Sequence, residues 1–481
     1  MKAEEYVQHD AMALAERVRS REVKRSEVLA AAIEIAERRN PQINAICHAP
    51  FDEVMSQVEA RDDEAPSKAP FDGVPFLLKD LGAQYEGWPM RLGSRALAEN
   101  VCLYTDTLTQ RYVDSGVNIF GRTTTPEFGL IAVTESELYG DTRNPWNLDH
   151  TPGASSGGAG AAVAAGIVPF AHANDGGGSI RIPASCSGLV GMKPSRGRTP
   201  AGPVAGELVS GFGYQHVVAR TVRDCARMLD ATSGPEVGDI YAAPPAPGAF
   251  VEEVGKDPGA LRVAYWTKYW QDDSPTDPEC VAAVEAAAKL LLGLGHEVEE
   301  KRPDVDFDLL VKSFSVQWGA LAAAGVETVR QAVPGLDEAA VFEPFTRELA
   351  EVGRRYSALD LTLARDAMFA SAREMGRFHE TYDILVTTVL GTPPLRIGEW
   401  SRESARFLDD DSRANRFLLT SHLSNASGQP AVTLPLHMTQ DGLPVGVMFT
   451  AAYGREDLLY RLAGQIEQAA PWIGRRPEVF G

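Results

Sequence analysis

A stretch rich in glycine and serine, residues 151–183, constrains the fold of this chain more than any other feature. Its sequence, TPGASSGGAGAAVAAGIVPFAHANDGGGSIRIP, contains two prominent serines, Ser155 in GASSGG and Ser179 at the end of DGGGS. Three glycines come directly before the second serine: Gly176, Gly177 and Gly178. Because glycine has no Cβ, its N–H can approach a ligand closely. These glycines are predicted to direct N–H donors at an oxyanion beside Ser179, which indicates an acyl-transfer site.

Such a serine needs a base within hydrogen-bonding reach. The nine histidines have no catalytic or metal-binding spacing, and His172 lies in an apolar run that favours a buried structural role. Lys79 instead follows the apolar run GVPFLL. This pattern is typical of a buried strand that has one polar residue at its end, where the side chain can reach a site. Burial disfavours the ammonium form, so Lys79 is a candidate base. The residues alone also allow the alternative that Lys79 has no catalytic role and only extends its side chain along the end of a strand.

Other interpretations of the glycine-rich stretch are possible. A P-loop ends in Gly-Lys-Ser/Thr, and no such sequence follows the glycines within residues 157–160, which argues against phosphate binding. Residues 153–157 match the G-x-S-x-G nucleophile elbow, with Ser155 as nucleophile. An elbow serine follows a buried strand, yet residues 144–152 are polar and interrupted by prolines. Residues 158–166 are also typical of a helix packed closely against a sheet.

Composition excludes several classes of function. The 481 residues carry a net charge of −20, which disfavours contact with nucleic acid or an anionic membrane. The five cysteines are odd in number, widely spaced and without CxxC pairs, which indicates a reducing compartment and neither disulfides nor a zinc site. No segment at the N-terminus is typical of a signal peptide, and no stretch approaches the ~18 apolar residues of a membrane span. We therefore expect a soluble, cytoplasmic protein without a metal or an organic cofactor.

Helix and strand patterns alternate along the chain, as in an α/β protein. A helix over residues 26–38 is predicted to begin at a serine cap and to end before Asn40-Pro41. Residues 261–266 and 296–300 are predicted strands, and residues 277–294 are a predicted helix with Asp-Pro at its start. These three elements predict a βαβ unit.

Beyond these patterns, a series of sequence blocks resembles the amidase signature family, serine hydrolases with a Ser–cis-Ser–Lys triad. The blocks are FDGVPFLLKD, GRTTTPEFG, TRNPWN, TPGASSGG, NDGGGSIRIPAS and GLVGMKPSRGR, followed by NASGQPAVTLP, DGLPVGVMF and YGREDLL. Agreement in order and spacing over most of the chain is far more specific than one glycine loop. TRNPWN, PASCSGLVGMKPSRGR and AAYGREDLL resemble in particular the bacterial amidases that hydrolyse nylon oligomers, aryl acylamides and urethanes.

The resemblance implies a role for each residue of the site. It implies Ser179 as the nucleophile, Ser155 as the bridging serine in a cis peptide bond, and Lys79 as the final base. The same relay would return a proton to the leaving amine. Asp175 and Arg181 flank the nucleophile loop, and we expect them to form an ion pair that supports it.

The resemblance also implies the organisation of the chain. It implies a single α/β/α domain over residues 1–481, with a large central mixed sheet covered by helices and a signature core at residues 65–215. Residues 306–411 match the family least and are expected to face the substrate. Their aromatic residues are predicted to belong either to the core or to the substrate pocket: Phe314, Trp318, Phe342, Phe345, Tyr356, Trp400 and Phe407. The acidic run at residues 409–411 is predicted to be a solvated loop.

The function implied by the family is hydrolysis of a neutral carboxamide, or a related carbamate, through an acyl-serine ester. A nylon oligomer or an aryl amide is the favoured substrate. Two alternatives remain open: the A subunit of a tRNA-dependent amidotransferase, which delivers ammonia to a partner, and a binding homologue without activity. As a partner we expect a small-molecule amide, and neither nucleic acid nor a membrane. We expect the chain to be a monomer or a homodimer.

Overall fold

The computed structural model describes residues 1–270, 272–400, 413–419 and 421–481. The strands are β1 (Ile46–His48), β2 (Pro75–Lys79), β3 (Asn118–Thr123), β4 (Glu135–Ser136), β5 (Gly140–Asp141), β6 (Phe170–Asp175), β7 (Val190–Lys193), β8 (Tyr214–Ala219), β9 (Arg262–Tyr265), β10 (Glu297–Glu300), β11 (Ile384–Thr388), β12 (Ala431–Met438) and β13 (Pro444–Ala451). The helices are α1 (Ala3–Tyr6), α2 (Ala11–Arg19), α3 (Arg25–Ile43), α4 (Phe51–Glu59), α5 (Thr107–Asp114), α6 (Gly157–Ala164), α7 (Arg181–Ser187), α8 (Val222–Thr232), α9 (Phe250–Glu253), α10 (Pro278–Gly293), α11 (Phe307–Ala332), α12 (Glu338–Val341), α13 (Pro344–Arg354), α14 (Ala358–Phe378), α15 (Arg413–Leu418), α16 (Leu423–Ser427) and α17 (Glu456–Ala469).

The largest sheet has eight strands in the order β10-β9-β11-β13-β12-β7-β8-β6. Strand β9 pairs in parallel with β10 and β11, and the other neighbours in this sheet are antiparallel. A smaller sheet has the order β1-β3-β2, and its strand β2 packs against β6 at the edge of the large sheet. The predicted α/β class with a large mixed sheet and helices is confirmed.

Helix α6, which lies within the glycine-rich stretch, packs closely against the end of β3. All eight residues of α6, GGAGAAVA, are buried. A Cβ built on Gly158 would lie 2.4 Å from the backbone nitrogen of Thr124, so only glycine permits this approach. The helix predicted over residues 158–166 is therefore present, shifted by one or two residues at its ends.

The predicted βαβ unit is present. Strands β9 and β10 are parallel neighbours, with Glu297 beside Arg262, and α10 connects them. The Asp277 side chain accepts a hydrogen bond from the Glu279 N–H and Pro278 is the first helical residue, as the Asp-Pro pair predicts.

The prediction for the first long helix is wrong at both ends. Helix α3 begins at Arg25 and continues through Pro41 to Ile43. Ser26 lies inside it and hydrogen bonds to Asp62 instead of acting as the cap. Ile43 is fully buried, so packing of this last turn outweighs the helix-breaking tendency of proline.

One helix bears on the expectation that no stretch of the chain approaches a membrane span. Among the described residues, α11 (Phe307–Ala332) has the length and composition of a membrane span. It packs against α13 and α14, as the core helix of a globular protein does. The cytoplasmic location stays a prediction.

Candidate active site

Lys79 is the last residue of β2 and is fully buried. Its Nζ lies 2.7 Å from Ser155 Oγ and 2.6 Å from Asn174 Oδ1. Burial holds the pKa of Lys79 well below its usual value, although the Asp175 carboxylate opposes this shift. The arrangement therefore places an amine with little tendency to hold a proton next to a serine hydroxyl.

Asn174 is a residue of this site that the sequence analysis did not single out. Its Nδ2 donates to the backbone carbonyl of Leu81 over 2.7 Å, which directs its Oδ1 toward Lys79. The Asn174 carbonyl can accept one N–H of a neutral amine, so that the lone pair of Nζ remains available for Ser155. Its position directly before Asp175, in NDGGGS, was the only signal in the sequence.

Ser155 lies just before α6, and the peptide bond between Ala154 and Ser155 is cis. Gly129 approaches it closely: a Cβ there would lie 3.0 Å from Ser155 Oγ. With φ at +70°, Gly129 has the backbone conformation that favours glycine. Polar groups and glycine thus surround the Ser155 hydroxyl without blocking it.

Ser179 lies between β6 and α7, where it borders the same cavity as Ser155. Cβ atoms on Gly176 and Gly177 would lie 3.2 Å from Trp318 Cζ3 and 3.0 Å from Phe314 Cζ. These two glycines therefore let aromatic side chains of α11 pack onto the loop before the serine.

Gly178 differs from the two glycines before it. Its N–H donates to Asp175 Oδ1 over 2.7 Å. The sequence analysis predicted that this N–H points at an oxyanion beside Ser179. The hydrogen bond directs it toward Asp175 instead. Gly176 and Gly177 remain as candidate donors.

Asp175 and Arg181 form an ion pair beneath the loop that carries Ser179. Both side chains are fully buried, and Arg181 donates to the carboxylate over 2.9 and 3.0 Å. Burial alone would raise the pKa of Asp175, but Arg181, Asn425 and Lys193 lower it to about 2. The carboxylate therefore stays charged and accepts the N–H groups of Gly178 and Ile180.

Asn425 completes this network. Its Nδ2 donates to Asp175 Oδ1 over 2.7 Å, and its Oδ1 accepts from Arg181 over 2.6 Å. It belongs to the block NASGQPAVTLP, whose similarity to the family gave no role to this residue. The site therefore draws on residues far apart in the chain.

His172 has the structural role that the sequence indicated. Its Nδ1 accepts from the Lys79 N–H over 3.3 Å, and its Nε2 lies 3.2 Å from Gln215 Oε1. Burial lowers the pKa of His172 to about 3, so the imidazole is neutral. Among the described residues, no cluster of three or more His, Cys, Asp or Glu side chains is arranged to hold a metal ion.

A cavity of about 510 Å³ borders Ser155 and Ser179. Such a volume is within the range of small-molecule sites. Its wall is mainly apolar and includes Leu81, Leu97, Phe128, Leu130, Val209 and Leu321. In the part of the chain that the structure describes, no lysine or arginine lines it, and its acid, Asp175, is paired with Arg181. A charged substrate would find no counterion there, which favours a neutral one.

Of the segment predicted to face the substrate, helix α11 borders this cavity. Trp318 lines the cavity, whereas Gln317 is buried on another face and donates to Ser313 Oγ over 3.3 Å. Phe342 and Phe345 belong to the hydrophobic core. Phe407 and the acidic run 409–411 lie outside the described residues. The division of the chain into a core at 65–215 and a substrate-facing segment stays a prediction.

Comparison with known proteins identifies the class of hydrolase. The sequence matches the Amidase family over residues 27–460. It is 38% identical to 6-aminohexanoate-cyclic-dimer hydrolase from Paenarthrobacter ureafaciens over 98% of this chain and 97% of that protein. A solved structure of 6-aminohexanoate cyclic dimer hydrolase complexed with substrate superposes with a TM-score of 0.92 at 36% identity, covering 99% of this chain and all of the other. A bacterial aryl acylamidase superposes with a TM-score of 0.88 at 25% identity, covering 97% and 99%.

The fold and these similarities define a hydrolase that acts on amide bonds. The chain belongs to the amidase signature family, as the resemblance of its sequence blocks predicted.

Proposed function

We propose that this amidase works through Ser179 as nucleophile, Ser155 as bridging serine and Lys79 as final base. The observation that carries the proposal is the pair of Lys79 and Ser155: a fully buried amine lies 2.7 Å from a hydroxyl at the wall of a cavity that Ser179 also lines. A neutral lysine can accept a proton. Ser179, which borders the same cavity, is the nucleophile proposed to supply that proton through Ser155.

The relay balances protons in each half of the reaction. As Ser179 Oγ bonds to the carbonyl carbon, its proton passes to Ser155 and the Ser155 proton passes to Lys79. Lys79 then returns a proton to Ser155, and Ser155 passes its proton to the amide nitrogen as the C–N bond breaks. This protonation is needed because an amine cannot leave as an anion. Water then attacks the acyl-serine ester with the same groups as base, and Ser179 is restored.

Backbone donors are proposed to stabilise the charge that develops on the carbonyl oxygen. The N–H groups of Gly176 and Gly177 are the candidates, since the Gly178 N–H is bound to Asp175. Donors held by a rigid loop stabilise an oxyanion without reorganisation during the reaction. The Asp175–Arg181 pair supports this loop and is proposed to have no contact with the substrate.

The proposed substrate is a neutral, largely apolar carboxamide. The mainly apolar cavity supports this choice, because it offers no counterion to a carboxylate or an ammonium group. The names of the relatives add two candidates, the cyclic dimer of 6-aminohexanoate and an aryl acylamide. Both are uncharged amides, and a carbamate is the third candidate because its carbonyl undergoes the same attack.

The test combines a substrate screen with labelling. The purified chain is assayed against aliphatic amides, anilides, lactam oligomers and carbamates, and is treated with a fluorophosphonate. We expect turnover and a single adduct on Ser179, with both lost in Ser179→Ala while the circular dichroism spectrum is retained. An adduct on Ser155 would contradict the assignment and favour the nucleophile elbow.

The same assay separates a free-standing amidase from the two alternatives. An amidotransferase subunit would need its partner subunits and charged tRNA, and a binding homologue would take no label. We expect the chain by itself to cleave simple amides.

A further inference from the structure

A second, smaller cavity also borders the proposed nucleophile. Four residues line both cavities: Gly129, Leu130, Ser179 and Trp318. Both cavities therefore border Ser179. The smaller one has a volume of about 30 Å³, and among its other walls are Ile131, Ile182 and Phe314.

Of the described residues that line this smaller cavity, His422 is the one with a titratable side chain. It is 6% exposed, and its ring lies 5.0 Å from that of Phe314 and 5.8 Å from that of Phe307. Its Nε2 has no hydrogen-bond partner among the residues that the structure describes. Buried polar atoms are almost always hydrogen bonded, so this unpartnered imidazole at a cavity wall points to a ligand.

The imidazole is neutral in this environment. Burial and then the charge of Arg181 lower the pKa of His422 to about 4. A neutral imidazole presents one N–H donor and one nitrogen acceptor. It can thus donate to or accept from a hydroxyl group, which is itself both a donor and an acceptor, and it offers no charge to an ionised group.

The residue before His422 ties this histidine to the nucleophile loop. Ser421 Oγ donates to the Gly177 carbonyl over 2.6 Å, and the Ser421 carbonyl accepts from Arg181 over 2.7 Å. The backbone directly before His422 is therefore held by the same network that holds the loop before Ser179.

The proposed relay determines which half of an amide enters the smaller cavity, so this step rests on the proposed function. The leaving nitrogen receives its proton from Ser155, which lines the larger cavity and not the smaller one. The amine half therefore lies in the larger cavity. The acyl substituent on the carbonyl carbon then projects into the smaller one.

We propose that the smaller cavity is an acyl subsite in which His422 hydrogen bonds to a hydroxyl group next to the scissile carbonyl. A cavity of about 30 Å³ is far smaller than the neighbouring one of about 510 Å³, so it has room for a short acyl substituent only. The substrate class is therefore an N-substituted amide of a short 2-hydroxy acid. Of the candidate substrates, this favours N-aryl amides of short acids over a cyclic amide, whose acyl chain has to return to the larger cavity.

The experiment compares two p-nitroanilides that differ by one group, the hydroxyacetyl and the propionyl compound. They release the same amine, and a hydroxyl replaces a methyl of similar size. For the wild-type chain we expect kcat/KM, divided by the rate of alkaline hydrolysis, to be higher for the hydroxyacetyl compound. His422→Phe, which keeps a ring against Phe314, should lower the hydroxyacetyl-to-propionyl ratio about 5- to 100-fold. His422→Asn, which retains a donor and an acceptor, should restore part of it.

His150→Phe is the matched control. His150 is also buried and also has an unpartnered ring nitrogen, Nδ1, but it lines neither cavity. We expect this variant to leave the ratio unchanged.

Three results would overturn the inference. They are a wild-type chain with no preference for the hydroxyacetyl compound, a ratio unaffected by His422→Phe, and cleavage of neither anilide by a chain that takes the fluorophosphonate on Ser179. The last result leaves the proposed nucleophile intact. Absence of both labelling and turnover of any amide would overturn the proposed function itself, and this subsite with it.

Discussion

At the residue scale, burial alone does not show which of two buried lysines can act as the base. Lys193 is as fully buried as Lys79, and burial lowers its pKa in the same direction. Its Nζ donates to the Pro194 carbonyl and lies 3.5 Å from the centre of the Tyr214 ring. Lys79 differs because its Nζ is hydrogen bonded to a serine at the cavity wall. Geometry selects between two lysines that burial makes alike.

The proposed role of Lys79 as the final base predicts the effect of replacing this residue. Lys79→Ala should lower kcat/KM by about 10³-fold or more, and Lys79→Arg should not restore it, because arginine stays protonated. A base must be neutral, so activity should rise with pH as Lys79 loses its proton, at a pH well below the ~10.4 of free lysine. The pH profile of kcat/KM measures this. Activity of Lys79→Arg close to that of the wild type would assign the base elsewhere.

The Asp175–Arg181 pair predicts a stability effect. Asp175→Asn leaves a buried arginine without its charge partner and should lower the free energy of unfolding by about 3–5 kcal/mol. Because the folded-state pKa of Asp175 is lowered to about 2, its contribution is present above about pH 4 and is lost as the pH falls toward 2. Urea unfolding at neutral and acidic pH measures both effects.

Asp149→Asn is the control for this substitution. Asp149 and Arg396 are 73% and 68% exposed, so solvent screens their pair and the change should cost at most about 1 kcal/mol. Equal losses in the two variants would show that the buried pair has no special contribution.

At the scale of elements, α11 connects the core to both cavities. Phe314 and Trp318, one turn apart on this helix, have stacked rings with centres 5.0 Å apart. Trp318 is also held by a hydrogen bond from its Nε1 to the Leu130 carbonyl over 3.1 Å. The glycines of the nucleophile loop allow this contact. Helix and loop therefore shape the proposed substrate site together.

Trp318→Leu should change which amide is preferred, because Trp318 lines both cavities. We expect the kcat/KM values of a short aliphatic amide and an anilide to change by different factors, with the ratio shifting by about 10-fold. Gln317→Leu is the matched neighbour, since Gln317 lines neither cavity. It should change both substrates by one common factor. A common factor in Trp318→Leu as well would make α11 a scaffold only.

At the scale of the whole molecule, a strongly negative chain encloses a nearly uncharged cavity, the proposed substrate site. The net charge is −20, yet the described lining holds one carboxylate, that of Asp175, and it is paired with Arg181. Long-range charge therefore acts on the approach of charged solutes and not on a neutral amide in the cavity.

This contrast predicts a salt dependence that differs between substrates. Raising the ionic strength from about 0.01 M to about 0.15 M shortens the screening length from about 30 Å to about 8 Å. The kcat/KM of a neutral amide should stay within about two-fold, whereas an amide with a distant carboxylate should improve as the repulsion is screened. Steady-state rates over this range measure it. A strong decline for the neutral amide would indicate charge recognition inside the site.

The sequence by itself determined the features that depend on short-range order. The Asp-Pro start of α10, the apolar strand that ends at Lys79, and the glycines between β6 and α7 are all visible as local patterns. The order of its blocks also indicated the family. These features could be predicted because periodicity, capping and the absence of a Cβ act within a few residues.

Only the tertiary structure decided how distant segments complete the site. Asn425 reaches Asp175 from 250 residues away, and Ser421 fixes His422 beside the nucleophile loop. The Gly178 N–H turns to Asp175, and α3 passes Pro41 because Ile43 packs in the core. No local pattern contains this information, because the free energy that selects these conformations comes from burial and hydrogen bonds between segments that only folding brings together.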